Sequence, residues 1–340
     1  RWAAGKPGVI VLACELIDHN GEELLRIMNQ YVSDWGWEDE FSQWMANDCT
    51  ICTTLVDTIV PGRIRDPKEA AAIAERLGYE DPFLAVREPF QMWGIQGDES
   101  LKERLPFVKA GLPGVFVTPD VTPYKKRKVR ILNGAHTAFV PGSWVAGFDI
   151  VRDCMHDETV RGFMNTMLYN EVIPTLAADL DVEDCKAFAA AVENRFDNPF
   201  IDHALLSICL NSTAKWRARD LPTLKDYIAE TGNLPKCLST SLATLIAFYT
   251  QELVAREGDG LHLRRADGTE YTAQDDAFVL DFYAAHAGAD DAELVHDVLT
   301  NEQMWGEDLT QIAGLEEFVV DALAVVRAEG VKQAFANAQA

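Results

Sequence analysis

The sequence predicts an α/β part followed by an all-α part, and three observations lead to this prediction. Strand-like and helical patterns alternate up to about residue 120. Beyond Pro123 the strand signal nearly vanishes and helical periodicity fills the remaining chain. The 340 residues also exceed what one small core usually organises. We therefore expect two domains, residues 1–120 and residues 121–340.

The first part alternates between buried strands and amphipathic helices. Residues 8–14 (GVIVLAC) form a short apolar run typical of a buried strand, and residues 21–35 have apolar side chains at helical spacing. The next segment, 49–60, is again apolar and rich in Thr and Val, which favours a strand. The remaining predictions for this part are a helix at 66–78 and strands at 89–97 and 114–120.

The second part has apolar residues spaced three and four apart over most of its length, which predicts helices. One turn-rich segment, 258–271 (GDGLHLRRADGTEY), instead predicts a surface hairpin around its A-D-G-T turn. The predicted helices are 124–140, 158–176, 182–196, 203–231, 236–257, 275–287, 290–300 and 315–335.

Composition excludes several classes of function. The chain has 54 acidic and 30 basic residues and a formal charge of -24, so its average field repels nucleic acid and anionic membrane surfaces. No apolar run approaches the roughly 20 residues that span a bilayer. Seven scattered cysteines fit reduced thiols in a cytoplasm. The single C-x-x-C, Cys49 to Cys52, lacks a second pair, which favours a buried strand over a metal site.

Positive charge is nevertheless concentrated at one place, where five of the six residues 125–130 are cationic. If Pro123 lies in the first turn of a helix, then at about 100° per residue Lys125, Lys128, Asn133 and His136 share an arc of roughly 140°. Burial of such a helix favours the neutral amine of Lys128, which suits a general base. Asn133 could donate to an oxygen that gains charge. The alternative is a solvated cationic face beside a histidine that only packs.

The spacing K-x4-N-x2-H, filled by Lys128, Asn133 and His136, resembles the signature of the polyol-specific long-chain dehydrogenases, the mannitol dehydrogenase family. The resemblance extends over essentially the whole chain. It is carried by the segments CELIDHNG (14–21), TLVDTIVPGR (54–63), NPFIDHALLSICLNSTAKWRARDLP (198–222), LATLIAFY (242–249) and WGEDLTQIAGL (305–315).

The resemblance implies that residues 1–120 are the C-terminal part of a Rossmann-type domain, followed by a mostly helical catalytic domain. It also implies NAD as cofactor and no metal. Lys128 would then be the general acid/base, Asn133 would bind the reacting oxygen, and His136 would position the lysine or the substrate. Asp57 matches a family aspartate near the nicotinamide end of the site. Glu15 stands where polyol members have the aspartate of C-D-N, and it could face the same end.

Departures from the polyol pattern favour a sugar acid as substrate. Ser207, Asn211 and Lys215 stand where the polyol branch has an arginine, an aspartate and a lysine. Losing an acid while gaining Arg217 and Arg219 suits a carboxylate, although residues 215 and 219 lie on a different side of a helix from residue 217. Lys125 is a further candidate. The expected reaction is the NADH-dependent reduction of D-tagaturonate to D-altronate. The epimeric fructuronate and a neutral polyol are the alternatives.

Three further expectations concern the rest of the chain. The 340 residues contain no G-x-G-x-x-G or P-loop motif. The family's glycine-rich loop would therefore precede Arg1, and the alternative to an enzyme is a substrate-binding fragment unable to bind NAD. The acids of residues 154–158 (CMHDE) are expected to cap a helix rather than bind metal. His203 is expected on the packing side of a helix. The sequence does not indicate an oligomeric state.

Overall fold

The structure is a computed structural model that describes residues 1–15, 17–37, 39–60, 62–64 and 66–340. Its residues group into two compact units, Arg1–Lys126 (unit 1) and Arg127–Ala340 (unit 2), a few residues beyond the predicted boundary. Unit 1 combines strands with helices, and unit 2 is mostly helical. The predicted order of an α/β part and a largely α part is confirmed.

Unit 1 contains short strands and the helices between them. Its strands are β1 (Ile10–Leu12), β2 (Thr50–Cys52), β3 (Thr54–Asp57), β4 (Met92–Gln96) and β5 (Val115–Thr118). Its helices are α1 (Asn20–Asp34), α2 (Asp39–Asp48), α3 (Pro67–Leu77), α4 (Glu99–Arg104), α5 (Pro106–Lys109) and α6 (Thr122–Arg127), which crosses the unit boundary, and a 3₁₀ turn covers Trp2–Ala4.

The strands of unit 1 form two small sheets. β1 pairs with β2 in parallel, while β3 pairs antiparallel with β4, which pairs in parallel with β5. The single strand predicted for 49–60 is therefore two strands that part at Thr53 and join different sheets. Helix α3 has the ends its sequence predicts, since Asp66 accepts from the Lys68 N–H at 2.8 Å and Gly78 ends the helix at φ 81°.

Unit 2 has more helices than the sequence periodicity separates. They are α7 (Gly134–Val145), α8 (Val151–His156), α9 (Glu158–Thr166), α10 (Val182–Phe196), α11 (Leu205–Ile208), α12 (Ser212–Arg219), α13 (Leu221–Thr231), α14 (Lys236–Tyr249), α15 (Ala277–Ala285), α16 (Asp291–Leu299), α17 (Glu302–Trp305), α18 (Leu315–Glu329) and α19 (Val331–Ala338). Short 3₁₀ turns cover Pro174–Leu176 and Leu309–Gln311. Three antiparallel strands complete the unit: β6 (Glu252–Glu257), β7 (Gly260–Arg264) and β8 (Glu270–Ala273).

Helices α7 and α14 form the centre of the unit 2 core. Both are apolar nearly all round and buried along almost their entire length, as expected for a helix enclosed by others. Gly142 permits their close packing, because a Cβ at this position would lie 2.9 Å from Thr244 of α14 and 2.8 Å from Phe335 of α19. Helix α9 begins at Asp157, whose carboxylate accepts the N–H groups of Thr159 and Val160. The capping role expected within residues 154–158 is confirmed.

The helices expected over 203–231 and 315–335 are divided into three and two helices, and two further predictions for unit 2 are wrong in part. The helix expected over 236–257 ends at Tyr249, and β6 follows, because pairing with β7 overrides a weak local preference. The predicted hairpin therefore belongs to a three-stranded sheet. The second difference is that two helical stretches contain π-helix, at Lys128–Asn133 (the first π segment) and at Met167–Val172 (the second π segment).

Candidate functional site

The first π segment carries two of the predicted site residues at its ends. Lys128 is its first residue and Asn133 its last, and both are half-buried. Gly134 donates its backbone N–H to the carbonyl of Val129 five residues earlier, which is the π pattern. Residues five apart would differ by about 140° on an α-helix. On a π turn they lie one turn apart, so Lys128 and Asn133 project closer to one direction than the sequence predicts.

His136 is buried in the first turn of α7. Its ring stacks on Phe196 with centroids 4.1 Å apart, and the ring of His203 meets it edge-on at 5.4 Å. Its Nε2 is buried and has no hydrogen-bond partner among the described residues. Burial lowers the pKa of His136 well below its ordinary value, and nearby positive charges lower it further. These charges belong to Arg219, Arg195 and Lys215, whereas burial also lowers the pKa of the neighbouring His203.

Helix α12 contributes two cations to the surroundings of His136. Arg219 donates from Nη1 to the hydroxyl of Thr137 at 3.0 Å and to the carbonyl of Asn133 at 3.5 Å. Lys215 donates from Nζ to the Ile208 carbonyl at 2.9 Å, and burial together with the charge of Arg219 lowers its pKa. Both therefore lie near the segment that carries Asn133 and His136.

Arg217 lies on a different side of the same helix. Its side chain is exposed and packs against Gly306, where a Cβ would approach its Nη2 to 2.6 Å. The expectation that residues 215 and 219 face a different direction from residue 217 is met by these contacts.

Asp220 is a buried acid directly beside the site. A Cβ on Gly134 would lie 2.9 Å from Asp220 Oδ1, so glycine at 134 leaves room for the carboxyl group. Burial raises the pKa of Asp220 well above its ordinary range, although Arg219 and Arg130 oppose the shift. The raised pKa favours the neutral form of this carboxyl group, which offsets less of the positive charge around His136 than a carboxylate would.

The predicted cofactor residues lie in unit 1. Asp57 is buried at the end of β3, and Glu15 is exposed three residues after β1. Asn20 connects their surroundings, because its amide donates to the carbonyls of Glu15 and Thr54 at 3.0 Å and accepts the Thr54 N–H at 3.0 Å. Residue 16, which the sequence comparison with C-D-N also involves, lies outside the described residues.

Lys125 also belongs to unit 1, where its ammonium group forms an ion pair with Asp18. The structure therefore brings together Asn133, His136, Lys215 and Arg219 in unit 2, and Lys128 begins the π segment that ends at Asn133. It gives Lys125 and Arg217 other neighbours.

Sequence reasoning missed Asp220 and Arg195, and it assigned His203 to helix packing. His203 lies in the loop before α11, and its ring meets the ring of the predicted site residue His136 edge-on. The signal was available in part, because all three residues lie in or just before the segment 198–222 that carries the family resemblance.

Within the described ranges no group of three or more His, Cys, Asp and Glu side chains is arranged to hold a metal ion. In the same part of the chain, no helix is both long and apolar enough to cross a membrane.

These observations define a class of protein in which an α/β unit precedes a helical unit bearing a Lys, Asn and His set. The mannitol dehydrogenase Rossmann domain matches residues 1–109, and the mannitol dehydrogenase C-terminal domain matches residues 120–327. The chain belongs to the mannitol dehydrogenase family.

Several relatives are named altronate oxidoreductase. The Yersinia enterocolitica protein is 41% identical over 339 residues, which are 98% of this chain and 66% of the relative. The Escherichia coli protein is 41% identical over 333 residues, with 96% and 65% covered. The chain thus spans about two thirds of the length of these relatives.

Two solved structures share the fold. Pseudomonas fluorescens mannitol 2-dehydrogenase, in a ternary complex with NAD and D-mannitol, superposes with a TM-score of 0.72 at 22% identity, covering 99% of this chain and 63% of that one. D-sorbitol dehydrogenase in substrate-free form gives 0.78 at 21% identity, with 98% and 64% covered. Unit 1 is accordingly the Rossmann-type part of the fold.

Proposed function

We propose that the protein reduces a keto sugar acid with NADH, converting D-tagaturonate to D-altronate in hexuronate catabolism, and that the reaction is reversible. The names of the relatives support this reaction. The observation that carries it is the positive charge around His136, where Arg219 bonds to the Asn133 carbonyl and the Thr137 hydroxyl, and Lys215 and Arg195 act on the same imidazole. In a chain with a net charge of -24, a local cluster of cations indicates a place that binds an anion.

Lys215 and Arg219 are the proposed partners of the substrate carboxylate. An arginine beside a partly buried lysine can form charge-assisted hydrogen bonds with a carboxylate, which are roughly twice as strong as neutral ones. Burial favours the neutral form of the Asp220 carboxyl group, which limits how far it offsets this attraction. A neutral polyol has no group that would use the two charges.

Lys128 is the proposed general acid in the reductive direction. As the carbonyl carbon accepts a hydride, the electron pair of the C=O double bond moves to oxygen, and the Lys128 ammonium gives that oxygen a proton. The Asn133 amide donates a hydrogen bond to the same oxygen as its charge grows. The unpartnered Nε2 of neutral His136 can accept a hydrogen bond from a substrate hydroxyl. In the oxidative direction each proton moves the opposite way.

NADH, when bound, supplies the hydride. Among the described residues, Asp57 and Glu15 fit the nicotinamide end of such a cofactor. Asp57 is the last residue of β3 and Glu15 lies three residues after β1, and the Asn20 amide donates to the carbonyls of Glu15 and Thr54. The 340 residues contain no glycine-rich phosphate motif, so none of them is assigned to the pyrophosphate. The free thiols of all seven cysteines support a reducing compartment such as the cytoplasm.

The test is NADH consumption by the protein as its gene encodes it, with D-tagaturonate, D-fructuronate and D-fructose compared side by side. We expect kcat/KM for tagaturonate to exceed that for fructose by about 10- to 100-fold, since a hydrogen bond to a charged group contributes ~1.5–3 kcal/mol. Equal activity with fructose would contradict the carboxylate assignment. A higher value for fructuronate would assign the enzyme to the epimeric substrate.

Helix α12 offers a matched pair of variants for the same assay. Arg219→Gln should reduce the preference for tagaturonate over fructose by about tenfold or more, because it removes a charge near the proposed carboxylate position. Arg217→Gln removes the same charge from the side facing Gly306 and should leave the preference unchanged. The reverse result would move the carboxylate to the Arg217 side.

A further inference from the structure

Helix α12 is held at its start by a single loop. This loop follows β8, and its residue Gln274 accepts the backbone N–H of Asn211 at 2.9 Å. The next residue, Asp275, accepts the N–H of Thr213 through Oδ2 at 3.0 Å. Asn211 enters the helix at φ 54°, in the left-handed region. Two consecutive loop residues thus determine where α12 begins.

Asp275 is itself fixed by the core. Its Oδ2 also accepts the hydroxyl of Tyr249, and its Oδ1 accepts the N–H of Asp276 at 2.8 Å. Tyr249 is the last residue of α14, almost fully buried, and its ring stacks on Tyr283 with centroids 4.7 Å apart. The carboxylate therefore connects the central helix of unit 2 to the first turn of α12.

The residues that follow this cap carry the proposed substrate contacts. Lys215 lies two residues after Thr213, and Arg219 lies at the other end of an eight-residue helix. Such a short helix has little stability of its own, so its direction depends on its tertiary contacts, which are the cap at Thr213 and the buried Trp216, whose Nε1 donates to Ser241 Oγ at 2.9 Å. A carboxylate at its N-terminus also interacts favourably with the helix dipole.

We infer that Asp275 is a positioning residue for substrate specificity, because it anchors α12 so that Lys215 and Arg219 meet the substrate carboxylate. The inference rests on the proposed function for its substrate, but the anchoring of α12 stands on the hydrogen bonds alone. Asp275 does not contact the substrate in this proposal. Tyr249 contributes by holding Asp275.

The experiment compares Asp275→Asn, Tyr249→Phe and the neighbouring control Asp276→Asn, whose side chain caps no backbone N–H of α15. Amide hydrogen exchange in residues 213–219 should quicken roughly tenfold or more in Asp275→Asn, less in Tyr249→Phe, and not at all in the control. Exchange in the centre of α14 should stay unchanged in all three. Unaltered exchange in α12 of Asp275→Asn would overturn the inference whatever the substrate is.

Kinetics of the protein as encoded by its gene provide the second readout. In Asp275→Asn the KM for tagaturonate should rise roughly tenfold, while kcat for tagaturonate and both constants for fructose stay within about twofold. A merely structural loss would instead lower kcat equally for both substrates, and that result would overturn the specificity role. A natural protein without any preference for tagaturonate would refute the proposed function, and the exchange data would still decide the anchoring.

Discussion

Within the described part of the chain, the two π segments place polar residues in contrasting surroundings. The first begins with Lys128 and ends with Asn133, which are both half-buried, and the Asn133 carbonyl accepts from Arg219 of α12. The second carries Glu171, whose two carboxylate oxygens accept the N–H groups of Cys237 and Leu238 at 2.7 and 2.9 Å. These N–H groups belong to the first turn of α14, so Glu171 serves the core.

The difference shows that a π turn is not by itself a sign of chemistry. In both places the extra residue per turn redirects side chains that an α-helix would point elsewhere. In the second segment Glu171 bonds to the first turn of α14, whereas the first segment carries two residues of the candidate site. We therefore expect variants in the first segment to change turnover and variants in the second to change stability.

The largest effect is expected for Lys128→Ala. Without its general acid the protein should lose about 10²- to 10⁴-fold in kcat for tagaturonate, because that range is typical of acid–base catalysis by a positioned side chain. The unfolding temperature should stay close to that of the natural protein. Lys225→Ala, which removes an exposed partner of Glu307, is the matched control and should retain full activity. A Lys128→Ala protein with a lowered unfolding temperature and an unchanged kcat would contradict the prediction, because Lys128 would then contribute to stability and not to turnover.

A smaller loss of turnover is expected for Asn133→Ala. Removing one donor to a developing oxyanion typically lowers kcat by about 10²- to 10³-fold. Both the KM for tagaturonate and the stability should change little, since only the backbone carbonyl of Asn133 bonds to Thr137 and Arg219. Measured kcat and KM, together with thermal unfolding, test this separation. An increase in KM at constant kcat would assign Asn133 to ground-state binding instead.

The second π segment should affect the stability of the protein and its dependence on pH, through the carboxyl group of Glu171. Burial raises the pKa of Glu171 from 4.5 to about 7, so the folded protein binds a proton that the unfolded chain releases between these values. Stability should therefore fall as pH rises from about 4.5 to about 7, by ~3 kcal/mol from this group. Urea unfolding at pH 5 and pH 8 should show this slope in the natural protein.

Glu171→Gln provides the comparison for that slope, because glutamine does not titrate. The variant should lose about 3 kcal/mol less than the natural protein between the two pH values, whatever its absolute stability. An identical pH dependence in both proteins would mean that Glu171 ionises at its ordinary pKa. Its kcat per folded molecule should equal that of the natural protein.

Much of the fold follows from local patterns in the sequence. The helices α1, α3 and α10 begin and end close to the predicted positions, because amphipathic spacing and caps such as Asp66 are encoded within each segment. Strand β6 was missed, since it depends on pairing with β7 and not on its own residues. The break at Thr53 likewise arises from two sheets competing for one apolar run.

The sequence allows a candidate site to be proposed as a set of residue types, but it does not predict how those residues are arranged. Spacing and family resemblance select Lys128, Asn133 and His136, yet an ideal helix assigns them the wrong relative directions because the π turn has no local signature. Arg217 and Arg219 cannot be ranked by sequence, whereas contacts with Gly306 and Thr137 separate them. The burial of Asp220 results from the packing of helices against one another, which local sequence patterns do not indicate.

The first π turn also has a consequence for engineering the chain by deletion. A π turn is equivalent to one residue inserted into an α-helix, and an insertion rotates all that follows by about 100°. Removing one apolar residue between Lys128 and Asn133 would restore an α-helix, but it would also shorten the sequence separation of the lysine and the asparagine by one residue. The relative direction of the two side chains thus depends on this extra residue, and a deletion variant should change the angle between them.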